Sequence, residues 1–179
     1  MNAQPAAALS VYSPGRKIVV VPMANSRHST DHGDALLTYA LGSCLGISVW
    51  DPVERVGGML HVMLPDSATS PEKAAATPDM FLDTALPRLF KTAYALGAVK
   101  QRLVVCVAGG ATLGAMQDAS FHIGQRNVAM LRKLLWINGV LIKAQQVGGS
   151  IPRTLALRID TGEVLIKTEH GVSLLHREV

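Results

Sequence analysis

The sequence predicts an α+β fold in which packed β-sheets are flanked by helices. Short β-branched or apolar runs recur along the chain, at 17–22, 45–50, 59–64, 102–107, 140–147, 153–159 and 163–168. Only two longer stretches, 78–96 and 124–137, place apolar residues at helical spacing. Glycine, proline and Asx residues punctuate the strands at short intervals.

Residues 1–16 are rich in Ala, Ser and Pro and are expected to form a flexible tail. The remainder, 17–179, is expected to form one domain, an ordinary size for a single core. The segment Lys17-Ile18-Val19-Val20-Val21-Pro22 reads as a strand, and the polar stretch 25–33 as a loop. Two apolar runs, 35–41 and 45–50, are separated by Gly42-Ser43-Cys44. Asp51-Pro52 makes a turn, and Gly57-Gly58 opens the run 59–64, which Pro65 closes. Residues 66–77 read as a surface loop. The helix expected over 78–96 carries Met80, Leu82, Leu86, Leu89, Phe90 and Ala93 on one stripe, and Pro87 should kink or divide it. In the second helix Val128, Leu131, Leu134 and Leu135 share a face, and Asn138-Gly139 stops it. Asp160-Thr161-Gly162 joins the last two runs as a hairpin turn.

Composition narrows the function classes. Hydrophobic residues make up 49% and charged residues 17%, which describes a globular chain with an aliphatic core. The net charge of +4 comes from scattered pairs such as Arg16-Lys17 and Arg132-Lys133, without the stripe or module of a nucleic-acid protein. The uncharged stretch 35–50 is too short and too rich in Gly and Ser to insert in a membrane. The N-terminus lacks the pattern of a signal peptide, and two cysteines make no disulfide framework, so a reducing cytoplasm is the expected location.

Cys44 stands out among residues that can do chemistry. It lies in Gly42-Ser43-Cys44-Leu45-Gly46, between two apolar runs, where glycine permits a sharp turn and leaves room for a substrate. Free backbone N–H groups of such a turn could bond a developing oxyanion. Taken alone, the pattern also suits a buried structural cysteine. His61 is the one polar residue of Met59-Leu60-His61-Val62-Met63-Leu64. Alone it fits a core histidine bonded to a carbonyl. Neighbouring strands can nevertheless set it beside Cys44, where an imidazole is expected to lower the thiol's pKa and generate the nucleophilic thiolate. Cys106, inside the apolar run Leu103-Val104-Val105-Cys106-Val107, reads as core. No histidine pairs with a cysteine at the spacing of a zinc site. Two further segments, Val107-Ala108-Gly109-Gly110-Ala111 and Gly124-Gln125-Arg126-Asn127, read as ordinary turns or caps that could border a site. Val147-Gly148-Gly149 lacks the lysine and spacing of a P-loop.

An ordered set of segments resembles the CheD family of chemoreceptor glutamine deamidases. It comprises Thr38 with Leu41-Gly42-Ser43-Cys44, Gly57-Gly58-Met59-Leu60-His61-Val62-Met63-Leu64-Pro65, Asp83-Thr84-Ala85 with Pro87-Arg88-Leu89, and Gly109-Gly110-Ala111. Ile123-Gly124-Gln125-Arg126-Asn127-Val128 and Val147-Gly148-Gly149 complete it. The resemblance implies two packed mixed sheets with helices outside, in α/β/β/α layers, similar to deamidases of the cytotoxic necrotizing factor type. It implies deamidation of glutamines on methyl-accepting chemotaxis receptors, with Cys44 as nucleophile, His61 as base and Thr38 orienting His61. It implies a CheC-type phosphatase as a possible partner, and no metal or organic cofactor. One departure is Ile151-Pro152-Arg153, where the family commonly has a Gly-Arg pair after the two glycines.

Two other readings share these residues: an adaptor for a CheC-type phosphatase with little catalysis, and another cysteine amidohydrolase or peptidase. Cys44→Ala should abolish deamidation and leave the fold intact. Cys106→Ala should retain activity and lose about 1 kcal/mol of stability, measured by denaturant unfolding. The reverse pattern would move the nucleophile to Cys106.

Overall fold

The computed structural model describes residues 15–112 and 122–178. The expected N-terminal tail lies almost entirely outside the described residues. Ten strands form two five-stranded sheets. The first sheet contains β1 (Lys17–Val20), β3 (Asp34–Leu41), β8 (Arg153–Arg158), β9 (Val164–Thr168) and β10 (Gly171–His176), in that spatial order. The second contains β2 (Asn25–Ser29), β5 (Val56–Val62), β4 (Leu45–Asp51), β6 (Val104–Gly109) and β7 (Ala144–Val147). Each sheet has one parallel pair, β1 with β3 and β6 with β7, and is otherwise antiparallel. The expected α+β class with mixed sheets is observed.

The period-two alternation of the strands separates two cores. Leu36, Leu41, Trp50, Met59, Cys106, Leu155 and Leu157 meet between the sheets. On the outer face of the second sheet, Leu45, Ile47, Leu60, Val62, Val105 and Val107 pack against α2 (Leu82–Ala95) and α3 (Ile123–Ile137). Leu37, Ala156 and Leu165 form a small cluster on the outer face of the first sheet, where no helix lies among the described residues. The helical cover seen is therefore one-sided, and no second outer helical layer falls within the described residues.

Three local expectations change. The polar stretch at 25–33 supplies an edge strand, β2, whose pairing with β5 in register Asn25↔His61 to Ser29↔Gly57 outweighs its low strand propensity. The expected loop at 66–77 holds a 3₁₀ turn, Ser67–Thr69, capped by Asp66, and a short helix α1, Pro71–Ala76, with Pro at its first turn. The helix expected from Pro78 begins at Leu82 instead. Phe81 is extended and bridges Leu64, and Leu82 N–H donates to Leu64 O at 2.8 Å. α2 then runs undivided through the exposed Pro87.

The chain crosses between the sheets once where it matters most. β3 ends at Leu41 in the first sheet, and β4 begins at Leu45 in the second. The β3–β8 register slips between Thr38 and Leu41, and Ala40 adopts a φ of 55°, which turns the chain out of the first sheet. Gly42-Ser43-Cys44 makes the crossing. Gly109, at φ 110°, lies so close beneath it that a Cβ there would sit 2.2 Å from the carbonyl oxygen of Cys44. Only glycine fits.

Gly109→Ala should therefore displace the crossing segment. The variant is expected to lose about 2 kcal/mol or more in denaturant unfolding, and its Cys44 should alkylate with iodoacetamide at a changed rate. Wild-type stability together with wild-type alkylation would show that the segment does not depend on this close approach.

Candidate functional site

The register of the second sheet sets the site. β4 pairs with β5 so that Gly46 lies opposite His61 and Leu45 opposite Val62. Cys44 precedes β4 by one residue and packs against the inter-sheet core. It lies two residues before Gly46, the partner of His61, at the end of the β4–β5 ladder. Gly46, directly opposite His61, contributes no side chain between them. A Cβ at Gly46 would also meet Leu41 Cδ1 at 2.7 Å.

Thr38 comes from the other sheet. Its Oγ1 lies 2.7 Å from His61 Nδ1, and it donates to Val21 O at 2.9 Å. A hydroxyl has one proton. With that proton committed to Val21, the contact with Nδ1 requires Nδ1–H to donate to Oγ1. Nε2 is then the bare, accepting nitrogen. It is buried and has no hydrogen-bond partner among the described residues. Thr38 and His61 are almost wholly buried, and Cys44 is half-buried. The structure therefore joins Thr38 to His61 directly, and the β4–β5 pairing sets Cys44 just beyond the end of the strand beside His61.

The electrostatics correct one expectation. Burial pushes the Cys44 thiol above the ordinary thiol range, and its own backbone N–H offsets this only in part. His61 is lowered from 6.5 to about 4 by burial, with no charged neighbour opposing the shift. Both shifts favour the neutral forms, a thiol and an imidazole, over a preformed thiolate–imidazolium pair, because burial disfavours either charge. Cys106 is fully buried, and burial drives its thiol up to about 12, as suits a core residue.

The crossing segment is held by its carbonyls. Ala111 N–H donates to Gly42 O at 2.8 Å, and Gly110 N–H donates to Cys44 O at 2.8 Å. Asn127, the fifth residue of α3, donates from Nδ2 to Ser43 O at 3.0 Å and to Met63 O at 2.9 Å. The two glycine-containing segments noted in the sequence thus border the site, and Asn127 is the residue whose part sequence reasoning missed. Gly110 and Ala111 spend their N–H groups on the crossing segment. Gly148 N–H donates to Gly109 O at 2.9 Å, and the departing loop beyond it is closed by buried Arg153, which donates to Ile151 O and to Gln146 Oε1.

No group of three His, Cys, Asp or Glu side chains is placed to hold a metal ion among the described residues. A hollow of 260 Å³ between α2 and α3, lined by Leu86, Phe90, Tyr94, Leu134 and Leu135, includes none of Thr38, Cys44 or His61. A shallower one of 290 Å³, lined by Pro65, Asp66, Arg126, Met130 and Lys133, adjoins the end of the His61 strand. No helix among the described residues is long and apolar enough to cross a membrane.

Comparison with known proteins places this geometry. Residues 63–168 match the family model described as CheD chemotactic sensory transduction. The chain is 47% identical to "Probable chemoreceptor glutamine deamidase CheD 1" of Syntrophus aciditrophicus, over 86% of this chain and 95% of that protein. The chain belongs to the CheD family. It is also 42% identical to "Probable chemoreceptor glutamine deamidase CheD" of Solibacter usitatus, over 86% of this chain and 89% of that relative. The CheD 2 protein of Anaeromyxobacter dehalogenans, bearing the same description, is 41% identical over 88% of this chain and 99% of its own. The family-model match begins just past His61, so the placement of Thr38, Cys44 and His61 within CheD rests on the longer spans shared with these relatives.

The buried neutral His61 has a consequence for stability. Its folded pKa lies below the unfolded value, so between about 6.5 and about 4 the unfolded chain binds a proton that the folded chain does not. Stability should fall with pH through that window, by up to about 1.4 kcal/mol per pH unit from this group. Urea unfolding of wild type and His61→Gln across the window should show a component of the slope that the variant lacks. The alkylation rate of Cys44 should keep rising with pH across neutrality, and a rate already level at neutral pH would reveal a preformed thiolate instead.

Proposed function

We propose that this protein is a cysteine-dependent protein-glutamine deamidase acting on the cytoplasmic domains of methyl-accepting chemotaxis receptors. The observation that carries the reading is the Thr38–His61 hydrogen bond, which leaves Nε2 bare on the strand paired with the one that follows the glycine-flanked Cys44. Membership of CheD, and the descriptions of relatives spanning nearly their full lengths, support the substrate class.

The chemistry follows from the tautomer. As Cys44 Sγ attacks the side-chain carbonyl carbon of a glutamine, His61 Nε2 takes the thiol proton. The carbonyl oxygen becomes an oxyanion held by backbone N–H of the crossing segment. Collapse of the tetrahedral adduct breaks the C–N bond, and the proton on Nε2 leaves with the amine as ammonia. Water then attacks the thioester, giving up a proton to Nε2. Cleavage of the C–S bond releases glutamate, and the proton returns to sulfur. Thr38 keeps Nδ1–H engaged throughout and so fixes which nitrogen does the work. The cycle balances without a metal or an organic cofactor.

Residues 17–179 act as one catalytic domain, a reading supported by the inter-sheet core that runs from Val21 to Ile166. The enzyme works in the cytoplasm, where the receptor's methylation region lies. The hollow beside Pro65, Asp66, Arg126 and Lys133 offers an open rim next to the site for a helical receptor bundle. A CheC-type phosphatase covering this rim would restrain the enzyme by competition.

The test is mass spectrometry of a receptor cytoplasmic domain after incubation with wild type and variants. Wild type should convert specific glutamines to glutamates, and Cys44→Ala should convert none. His61→Ala should be slower by about 10²–10⁴-fold, Thr38→Ala should be impaired less, and Thr38→Ser should recover. Near wild-type turnover by His61→Ala would remove it from the mechanism.

A further inference from the structure

The crossing segment has its carbonyls tied down on one side. Gly42 O and Cys44 O are bound by backbone N–H groups of Ala111 and Gly110. Ser43 O alone is bound by a side chain, that of Asn127. A planar trans peptide points its C=O and N–H in opposite directions. The bond to Ser43 O therefore turns the N–H of Cys44 away from α3. Among the described residues this N–H has no carbonyl or side-chain oxygen as acceptor, and it lies toward its own sulfur, where it favours the thiolate. That is the place a donor must occupy to meet the oxygen of a carbonyl under attack by Sγ.

Asn127 itself is built for this hold. It is fully buried, and both acceptors of Nδ2 are carbonyls, which fixes the orientation of the amide. Its second bond, to Met63 O, joins the crossing segment to the end of the strand that carries His61. Its Oδ1 is buried without a hydrogen-bond partner among the described residues.

We propose that Asn127 is a positioning residue for the deamidation: it orients the Ser43–Cys44 peptide so that the Cys44 N–H serves as the oxyanion donor. The inference rests on Cys44 as the nucleophile. It goes further by naming the donor and what aims it. Asn127 touches neither substrate nor the reacting atoms.

Two reactions of the same sulfur separate this role from a general one. Deamidation passes through an oxyanion. Alkylation by iodoacetamide displaces iodide from carbon, forms the S–C bond and develops no charge on a carbonyl oxygen. Asn127→Leu keeps the branching at Cγ and removes the donors, and Asn127→Ser shortens the side chain but retains a hydroxyl. Both variants should lose about 10²–10³-fold in kcat on a receptor cytoplasmic domain, with KM nearly unchanged. Their Cys44 should still alkylate within a few-fold of wild type. Asn127→Leu should be the more impaired, because it can donate to neither carbonyl. Retention of kcat within a few-fold would overturn the proposal. A parallel loss of alkylation would overturn it too, by showing that Asn127 supports the site as a whole. Failure of both variants to fold would make the amide a requirement of the fold and likewise overturn it. Activity in Cys44→Ala, measured alongside, would instead refute the nucleophile assignment, so the two failures are distinct.

Discussion

Between the two sheets, the hydroxyl of Thr38 on β3 meets Nδ1 of His61 on β5, and most of what the site can do depends on that contact. Face-to-face sheets pack about 10 Å apart, a gap that one threonine and one histidine can close. The distance is kept by the inter-sheet core around Leu36, Met59, Leu155 and Leu157. Val21 extends the chain of constraint by accepting the threonine proton from a third position in the sequence. If the sheets shifted relative to one another, His61 would lose its tautomer before it lost its place. Core packing and the tautomer of His61 are coupled here through a single proton.

That coupling bears on how the proposed site would act without a carboxylate. In a Ser-His-Asp arrangement an acidic third member stabilises the imidazolium that forms. Thr38 is neutral and orients the ring without favouring its charge. Burial then lowers the His61 pKa with nothing to oppose it, and the Cys44 thiol rises. In the proposed mechanism the sulfur stays protonated until an electrophilic carbon arrives, and the proton moves to Nε2 in the same event. A resting thiol reacts slowly with adventitious electrophiles and oxidants. Charge develops only when a carbonyl oxygen is in reach of the donors that stabilise it.

The sequence made the two candidate groups, Cys44 and His61, legible for different reasons. Cys44 sits among small residues at a break between apolar runs, and His61 interrupts an otherwise apolar strand. Both are anomalies against a regular background. Thr38 is no anomaly, since threonine is ordinary in a strand, and it entered only through resemblance to CheD. The α+β class was readable from the strand-rich pattern, and β8, β9 and the second helix fell close to their expected limits. The edge strand β2 was hidden because Asn25, Ser26 and Arg27 are held by pairing with β5 and not by their own preference. α1 was hidden behind the turn-forming residues around Pro71. β10 is half-exposed and lacks a marked alternation. Asn127 was read as part of a helix opening, because a side chain's reach across 84 positions to Ser43 leaves no local trace.

The most direct test of this account is the protonation of His61 in the free protein, read from the ¹⁵N shifts of its imidazole at neutral pH. The account predicts a neutral ring with the proton on Nδ1 and none on Nε2, persisting as the solution is acidified below the ordinary histidine range. A ring protonated on Nε2, or an imidazolium at neutral pH, would contradict it.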